Sequence, residues 1–157
     1  MNNSRIERTT HEAKKWVEKY PFLRFKDNSC CPCQNTDEME SCWIFDLPDG
    51  WINTCAKDMC DELLEVLGPF VDDFVILQLK EKYNEIVLYW CWEDRDYTDQ
   101  EMCEHNRMYR MIKRILSKYA KISYNTCIIC GEHATKWSYG WIASFCNECY
   151  EEMVNRN

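Results

Sequence analysis

Apolar residues recur at helical spacing in three stretches of this chain and run almost unbroken in two others, and that contrast predicts its elements. Residues 4–20 read as a first helix: Ser4 caps it, Glu7 takes the capping-box position, and Ile6, Ala13, Trp16, Val17 and Tyr20 mark an apolar face. Pro21 ends it. Residues 27–41 are polar and turn-rich and read as a loop, and Cys42–Leu47 reads as a short strand closed by Pro48-Asp49-Gly50. From Trp51 to Leu67 the positions Ile52, Cys55, Ala56, Met59, Cys60, Leu63 and Leu64 give a second helix, stopped by Gly68-Pro69. Phe74–Leu79 and Glu85–Trp92 are continuous β-branched and aromatic runs, expected to form a hairpin with its turn near Tyr83-Asn84 and both faces covered. A third helix over 99–121 is capped by Thr98 with Glu101 three residues on, and Met102, Tyr109, Ile112, Leu116 and Tyr119 mark its expected buried side.

After that helix the pattern breaks into cysteine pairs. Cys127-Ile-Ile-Cys130 and Cys146-Asn-Glu-Cys149 are two CxxC knuckles separated by fifteen residues. Thiolates three residues apart grip one ion from a tight turn, and two such pairs complete a tetrahedral shell suited to a structural Zn²⁺. A closed four-cysteine shell leaves no position for a substrate, so the expected role is structural. The order knuckle, short hairpin, knuckle, short helix resembles a zinc ribbon or treble clef. The expectation is therefore an α+β protein: helices packed on a small antiparallel sheet over residues 1–122, with a zinc lobe over 123–157 packed on that core.

Composition supports a folded chain. Of 157 residues 46 % are hydrophobic, with seven Trp, nine Tyr and six Phe, enough to fill one core and line a pocket. Nothing approaches the twenty or so apolar residues of a membrane span, and the first residues lack the apolar run of a signal peptide. Twelve cysteines without such a signal, two pairs of them in metal-knuckle spacing, point to a reducing cytoplasm. Among the others, Cys30, Cys31, Cys33 and Cys42 form an irregular cluster that offers a second metal site. Cys55, Cys60, Cys91 and Cys103 stand in apolar contexts and are expected to pack as small hydrophobes.

Charge changes the functional picture. Residues 35–104 carry nineteen acidic against four basic side chains, whereas residues 105–121 carry six basic and no acidic ones. The formal net charge of −8 disfavours duplex nucleic acid, whose phosphates most of this surface would repel. Arg107, Arg110, Arg114, Lys118 and Lys121 nevertheless form one helical stripe that suits a small anion or an acidic partner, set against the ordinary role of a solvated helix face. Lys80 and Lys82 share one side of a strand, and Trp90 and Trp92 on the partner strand offer stacking surfaces. The ordinary alternative is a pair of lysines protecting a strand edge. His11 falls on an exposed side of the first helix, His105 opens the basic stripe, and His133 lies near enough to Cys130 to be a substitute ligand. The chain has no phosphate-binding loop, nucleophile elbow, HExxH or zinc-deaminase signature, and no counterpart between residues 127 and 149 of the catalytic histidines of a knuckle-bearing nuclease.

One resemblance covers nearly the whole chain. It rests on Tyr20-Pro21, Cys42-Trp43, Asp49-Gly50-Trp51, Cys60, Gln78-Leu-Lys-Glu-Lys-Tyr83, Tyr89-Trp90 and the final CxxC…Gly140-Trp141…CxxC. This order resembles a group of small, largely uncharacterised proteins carried by bacteriophages and prophages. Those proteins usually follow the lysine motif with a Gly-rich turn and an arginine. Here Asn84-Glu85 holds the turn and Val87 the arginine position, so no role of that arginine carries over. The resemblance implies a phage accessory protein acting in the bacterial host cytoplasm as counter-defence. The expected activity is non-catalytic: sequestration of a small anionic, nucleotide-type ligand by Lys80, Lys82, Trp90 and Trp92, with Arg107, Arg110 and Arg114 beside them. A module that inhibits a host protein through the acidic surface is the alternative, and a zinc-stabilised enzyme the third.

Overall fold

Thr9 is extended and its hydroxyl accepts the Glu12 N–H at 3.2 Å, so the first helix, α1 (Thr10–Lys19), starts at that cap and not at residue 4. The structure, a computed structural model, describes residues 8–25 and 42–156. The expected Ser4 cap, the 27–41 loop and the Cys30, Cys31 and Cys33 part of the second metal cluster lie outside the described residues. Ala13 of α1 is buried, Pro21 opens a 3₁₀ turn (Pro21–Leu23), and Phe22 and Leu23 enter the core.

Cys42–Leu47 is not a strand. Trp43–Asp46 forms a 3₁₀ turn, closed by Phe45 N–H to Cys42 O at 3.1 Å and Leu47 N–H to Ile44 O at 3.2 Å. Cys42, Trp43, Ile44, Phe45 and Leu47 are all buried, and periodicity alone does not separate such a short apolar run from a strand. The free carbonyls of Phe45 and Leu47 are taken by the Arg8 guanidinium at 3.1 and 3.3 Å.

The expected second helix is broken into three pieces: α2 (Asp49–Trp51), a π-helical turn (Ile52–Ala56) and α3 (Lys57–Leu67). Thr54 leaves helical geometry (φ −122, ψ −113), and its hydroxyl donates to the Gly50 carbonyl at 2.6 Å. The apolar face survives the break. Trp51, Ile52, Met59, Leu63 and Leu67 are fully buried, each contributing about 1.5–3 kcal/mol of transfer free energy.

Strands β1 (Phe74–Lys82) and β2 (Glu85–Trp92) pair as the expected antiparallel hairpin, with a bulge between Ile76 and Gln78. Tyr83 and Asn84 form the turn with φ of +53 and +64, the two positive values a two-residue hairpin turn requires. Only one face is thoroughly covered. Ile86, Leu88, Trp90 and Trp92 of β2 turn toward α4 (Asp99–Tyr124), while Val87, Tyr89 and Cys91 on the other face are half-buried to exposed.

Thr98 and Glu101 close the expected capping box of α4, which runs to Tyr124, past the expected boundary at 122. Its buried face is His105, Met108, Ile112, Ile115, Tyr119 and Ser123. Met102 and Tyr109, expected inside, are exposed, because the stripe of spacing 3-4-3-4 starts at His105. His105 therefore does not open the basic stripe. It lies stacked on Trp92 at 4.1 Å, with Tyr97 and Phe70 edge-on to it. Beyond α4, strands β3 (Lys136–Trp137) and β4 (Ser144–Phe145) form a two-residue ladder, and α5 (Asn147–Asn155) closes the chain. No helix among the described residues is long and apolar enough to cross a membrane.

Candidate metal centre and binding cleft

Cys127 and Cys130 sit in the turn after α4, and Cys146 caps α5, where its sulfur accepts the Cys149 N–H at 3.5 Å. All four sulfurs lie within 4.8 Å of one another, and those of Cys130 and Cys146 are 3.6 Å apart. A tetrahedral thiolate shell with metal–sulfur bonds of about 2.3 Å sets sulfurs about 3.8 Å apart. The four residues therefore fit a single metal ion. Backbone N–H groups of Cys130, Cys146 and Ile129 outweigh the desolvation of Cys127 and hold its thiol below the ordinary value. Burial pushes Cys130 up to about 11 and raises Cys149 further. His133 is exposed and bridges Thr126 through its backbone, and it has no place in the cysteine cluster.

The centre is joined to the core by close backbone packing. Gly50 N–H donates to Ile128 O at 2.9 Å, and a Cβ at Gly50 would overlap Cys127 O and come within 2.7 Å of Gly131 N. Gly131, at φ +82, has no room either: its Cβ would lie 2.6 Å from the Thr54 methyl. The π-helical turn thus seats the first knuckle. The Trp51 indole N–H donates to Thr126 O at 3.0 Å from the same side.

The hairpin tip supplies the second join. Asn84 is fully buried; its Nδ2 donates to Tyr124 O at 3.1 Å and its Oδ1 accepts Ser144 N–H at 3.0 Å. Its own N–H is taken by the Glu81 carboxylate at 2.7 Å. Sequence pattern marked Asn84 only as a turn residue, because the partners that bury it lie 40 and 60 positions away.

The expected ligand residues are not brought together. Lys80 pairs with Val87 and Lys82 with Glu85 near the turn, whereas Trp90 pairs with Ile76 and Trp92 with Phe74 at the far end. Cross-strand partners share a face, so the two lysines and the two tryptophans also point to opposite sides of the hairpin. Trp92 is committed to His105 and Phe74. Arg107 is tied to Glu104 at 3.0 Å, and Lys118 to Glu62. Arg110 and Arg114 are exposed and make no ion pair among the described residues.

A different set does converge. Leu88, Tyr89 and Trp90 of β2 and Tyr109, Lys113, Leu116 and Ser117 of α4 line an open cleft of about 400 Å³. The Trp90 and Tyr109 rings lie 5.6 Å apart at 49°, and Lys113 Nζ stands 5.6 Å from the Tyr109 ring. Arg110 and Arg114 each follow a lining residue on α4. Tyr109 was missed because its apolar ring was assigned to the core; the signal available was its position between Arg107, Arg110 and Lys113.

Among the remaining thiols, Cys55 and Cys60 are buried as expected, and Cys42, assigned to the second metal cluster, is buried too; burial pushes Cys42 and Cys55 up to about 11, so both are un-ionised at neutral pH. Cys91 and Cys103 are exposed instead of packed. Comparison of the chain with models of protein families, with curated proteins and with solved structures finds no match.

Proposed function

We propose that this protein is a non-catalytic binding protein, stabilised by Zn²⁺ in the Cys127, Cys130, Cys146 and Cys149 shell, that takes up a small anionic ligand with a planar ring in the cleft between β2 and α4. The carrying observation is the meeting of two aromatic rings, Trp90 and Tyr109, with the Lys113 ammonium in a concave site. The rings offer stacking faces, and Lys113, Arg110 and Arg114 offer charge for phosphate. A nucleotide-type molecule joins both chemistries. This keeps Trp90, Arg110 and Arg114 from the sequence-derived set and replaces Lys80, Lys82, Trp92 and Arg107 with Tyr109 and Lys113. Zinc is favoured over iron or copper by the structural role: a closed, all-thiolate shell around a redox-silent ion. The likeness to phage and prophage proteins supplies the setting, namely removal of a host signalling nucleotide from the bacterial cytoplasm.

Calorimetric titration with a panel of mono-, di- and cyclic nucleotides tests the site. Tyr109→Ala and Lys113→Gln are both exposed changes, expected to leave folding intact and to weaken binding about tenfold each. Lys80→Ala with Lys82→Ala is expected to leave affinity unchanged. Binding lost in the lysine pair and kept in the cleft variants would overturn the assignment, and no uptake of any nucleotide would overturn the function.

A further inference from the structure

The structure places a second aromatic surface where the hairpin tip, the end of α4 and the cysteine lobe meet. The Tyr124 carbonyl is its hinge point: it accepts both Asn84 Nδ2 at 3.1 Å and the Trp137 indole N–H at 3.3 Å. That shared acceptor sets the Tyr124 and Trp137 rings in a stack 6.0 Å apart and holds the Tyr83-Asn84 turn beside them. Tyr83, next to the buried Asn84, is 73 % exposed. The β3–β4 loop continues the surface with Tyr139 and Trp141, 99 % and 76 % exposed, and Ser138 bonds the Trp141 carbonyl to hold that loop. Large rings partly left in water on three elements tied into one buried hydrogen-bond cluster form an exposed aromatic patch of the kind that marks a binding surface.

Charge narrows what that ligand is. Lys82 Nζ lies 5.6 Å from the Tyr83 ring, and Lys121 precedes Tyr124 by one turn of α4. Neither lysine makes an ion pair among the described residues. On the hairpin tip, the Glu81 carboxylate is held by Asn84 N–H, and Glu85 is in register with Lys82. Exposed aromatic faces interleaved with free ammonium groups match the chemistry of a single-stranded nucleic acid, in which unpaired bases stack and phosphates pair with lysine. A duplex hides its base faces and would set its backbone against the acidic body of the protein. We propose that this surface, built on Tyr83, Tyr124 and Trp137 with Lys82 and Lys121, binds a short single-stranded segment of nucleic acid. It is independent of the cleft between β2 and α4, which shares none of these residues.

The test is fluorescence anisotropy of a labelled oligothymidine of about 15 nucleotides at low salt, with the zinc-loaded full chain. Binding is expected, with quenching of tryptophan emission, and with affinity that falls steeply as salt rises. Trp137→Ala and Tyr83→Ala are each expected to weaken it about tenfold, and Lys82→Gln with Lys121→Gln to flatten the salt dependence, while zinc content and melting temperature stay at wild-type values. Tyr109→Ala in the cleft is expected to leave oligonucleotide binding unchanged. Absence of binding, equal binding of a duplex of the same length, or full affinity in both ring variants overturns the proposal. Self-association that is abolished by Trp141→Ala, with no oligonucleotide bound, also overturns it in favour of contact between copies of the chain.

Discussion

Replacing Asn84 with alanine isolates the hydrogen bonds that fasten the hairpin to the cysteine lobe. Two are lost outright: Asn84 Nδ2 to Tyr124 O, and Ser144 N–H to Asn84 Oδ1. The Ser144 hydroxyl is also 3.0 Å from Oδ1, but it has one proton and stands 2.6 Å from Thr126 O, which takes it. Tyr124 O retains the Trp137 indole as a donor, so its loss costs about 1 kcal/mol. Ser144 N–H has no second acceptor and Ser144 is fully buried, which makes that orphaned donor worth about 1–3 kcal/mol. Alanine at φ +64 adds about 1 kcal/mol, because its Cβ crowds the carbonyl where asparagine is better tolerated. The expected destabilisation is about 3–5 kcal/mol, read from urea unfolding followed by tryptophan fluorescence. Asn84→Gly removes the same hydrogen bonds without the backbone strain and should recover about 1 kcal/mol relative to alanine. A loss under about 1 kcal/mol for Asn84→Ala, or a glycine variant less stable than the alanine one, would refute the reasoning.

The remaining expectations concern other joints of the fold. Gly50→Ala drives a methyl into the Cys127 carbonyl and the Gly131 nitrogen, groups that are both backbone and cannot swing away, and should cost about 3 kcal/mol or more in the same unfolding assay; near-wild-type stability would show that the knuckle can slide. Cys146→Ser should release the metal, measured by elemental analysis, and lower the melting temperature, because binding free energy there is folding free energy; a full complement of zinc in that variant would remove the four-cysteine site. Desolvation holds His105 below its ordinary value of 6.5, with Asp73 at 3.8 Å pulling the other way. The neutral ring is thus the folded form, so its contribution is complete above pH 6.5 and is lost as pH falls through the lower folded value. His105→Phe keeps the stack on Trp92 and should flatten that part of the stability–pH curve, and identical acid profiles for both proteins would contradict this account.

What could be read from sequence was local. The Thr98–Glu101 box, the Tyr83-Asn84 turn and the paired knuckles are each written in residues a few positions apart, and each is present as expected. Expectations failed where distant residues decide. The kink at Thr54 answers the close approach of Gly131, and the 3₁₀ turn at Trp43–Asp46 is finished by Arg8, neither visible in a local window. The ligand set failed for a different reason. Alternation correctly put Lys80 with Lys82, but which strand face meets α4, and how far along β1 the tryptophans fall, follows from the register and the bulge near Leu77. Tyr109 shows the limit of counting apolar residues: a ring that belongs at a cleft rim reads the same as one that belongs in the core.

The seat of the first knuckle has a consequence for the nascent chain. At about 5–20 residues per second, a ribosome needs roughly 5–20 s to pass from Trp51 to Cys149. Within that interval Gly50 and Trp51 wait for the Ile128 and Thr126 carbonyls, and Asn84, once made, waits for Tyr124 and Ser144. Completion of the N-terminal layers therefore waits on the cysteine lobe. Until that lobe is made, the nascent chain carries an unfinished polar seam at Gly50 and Asn84 beside its hydrophobic interior.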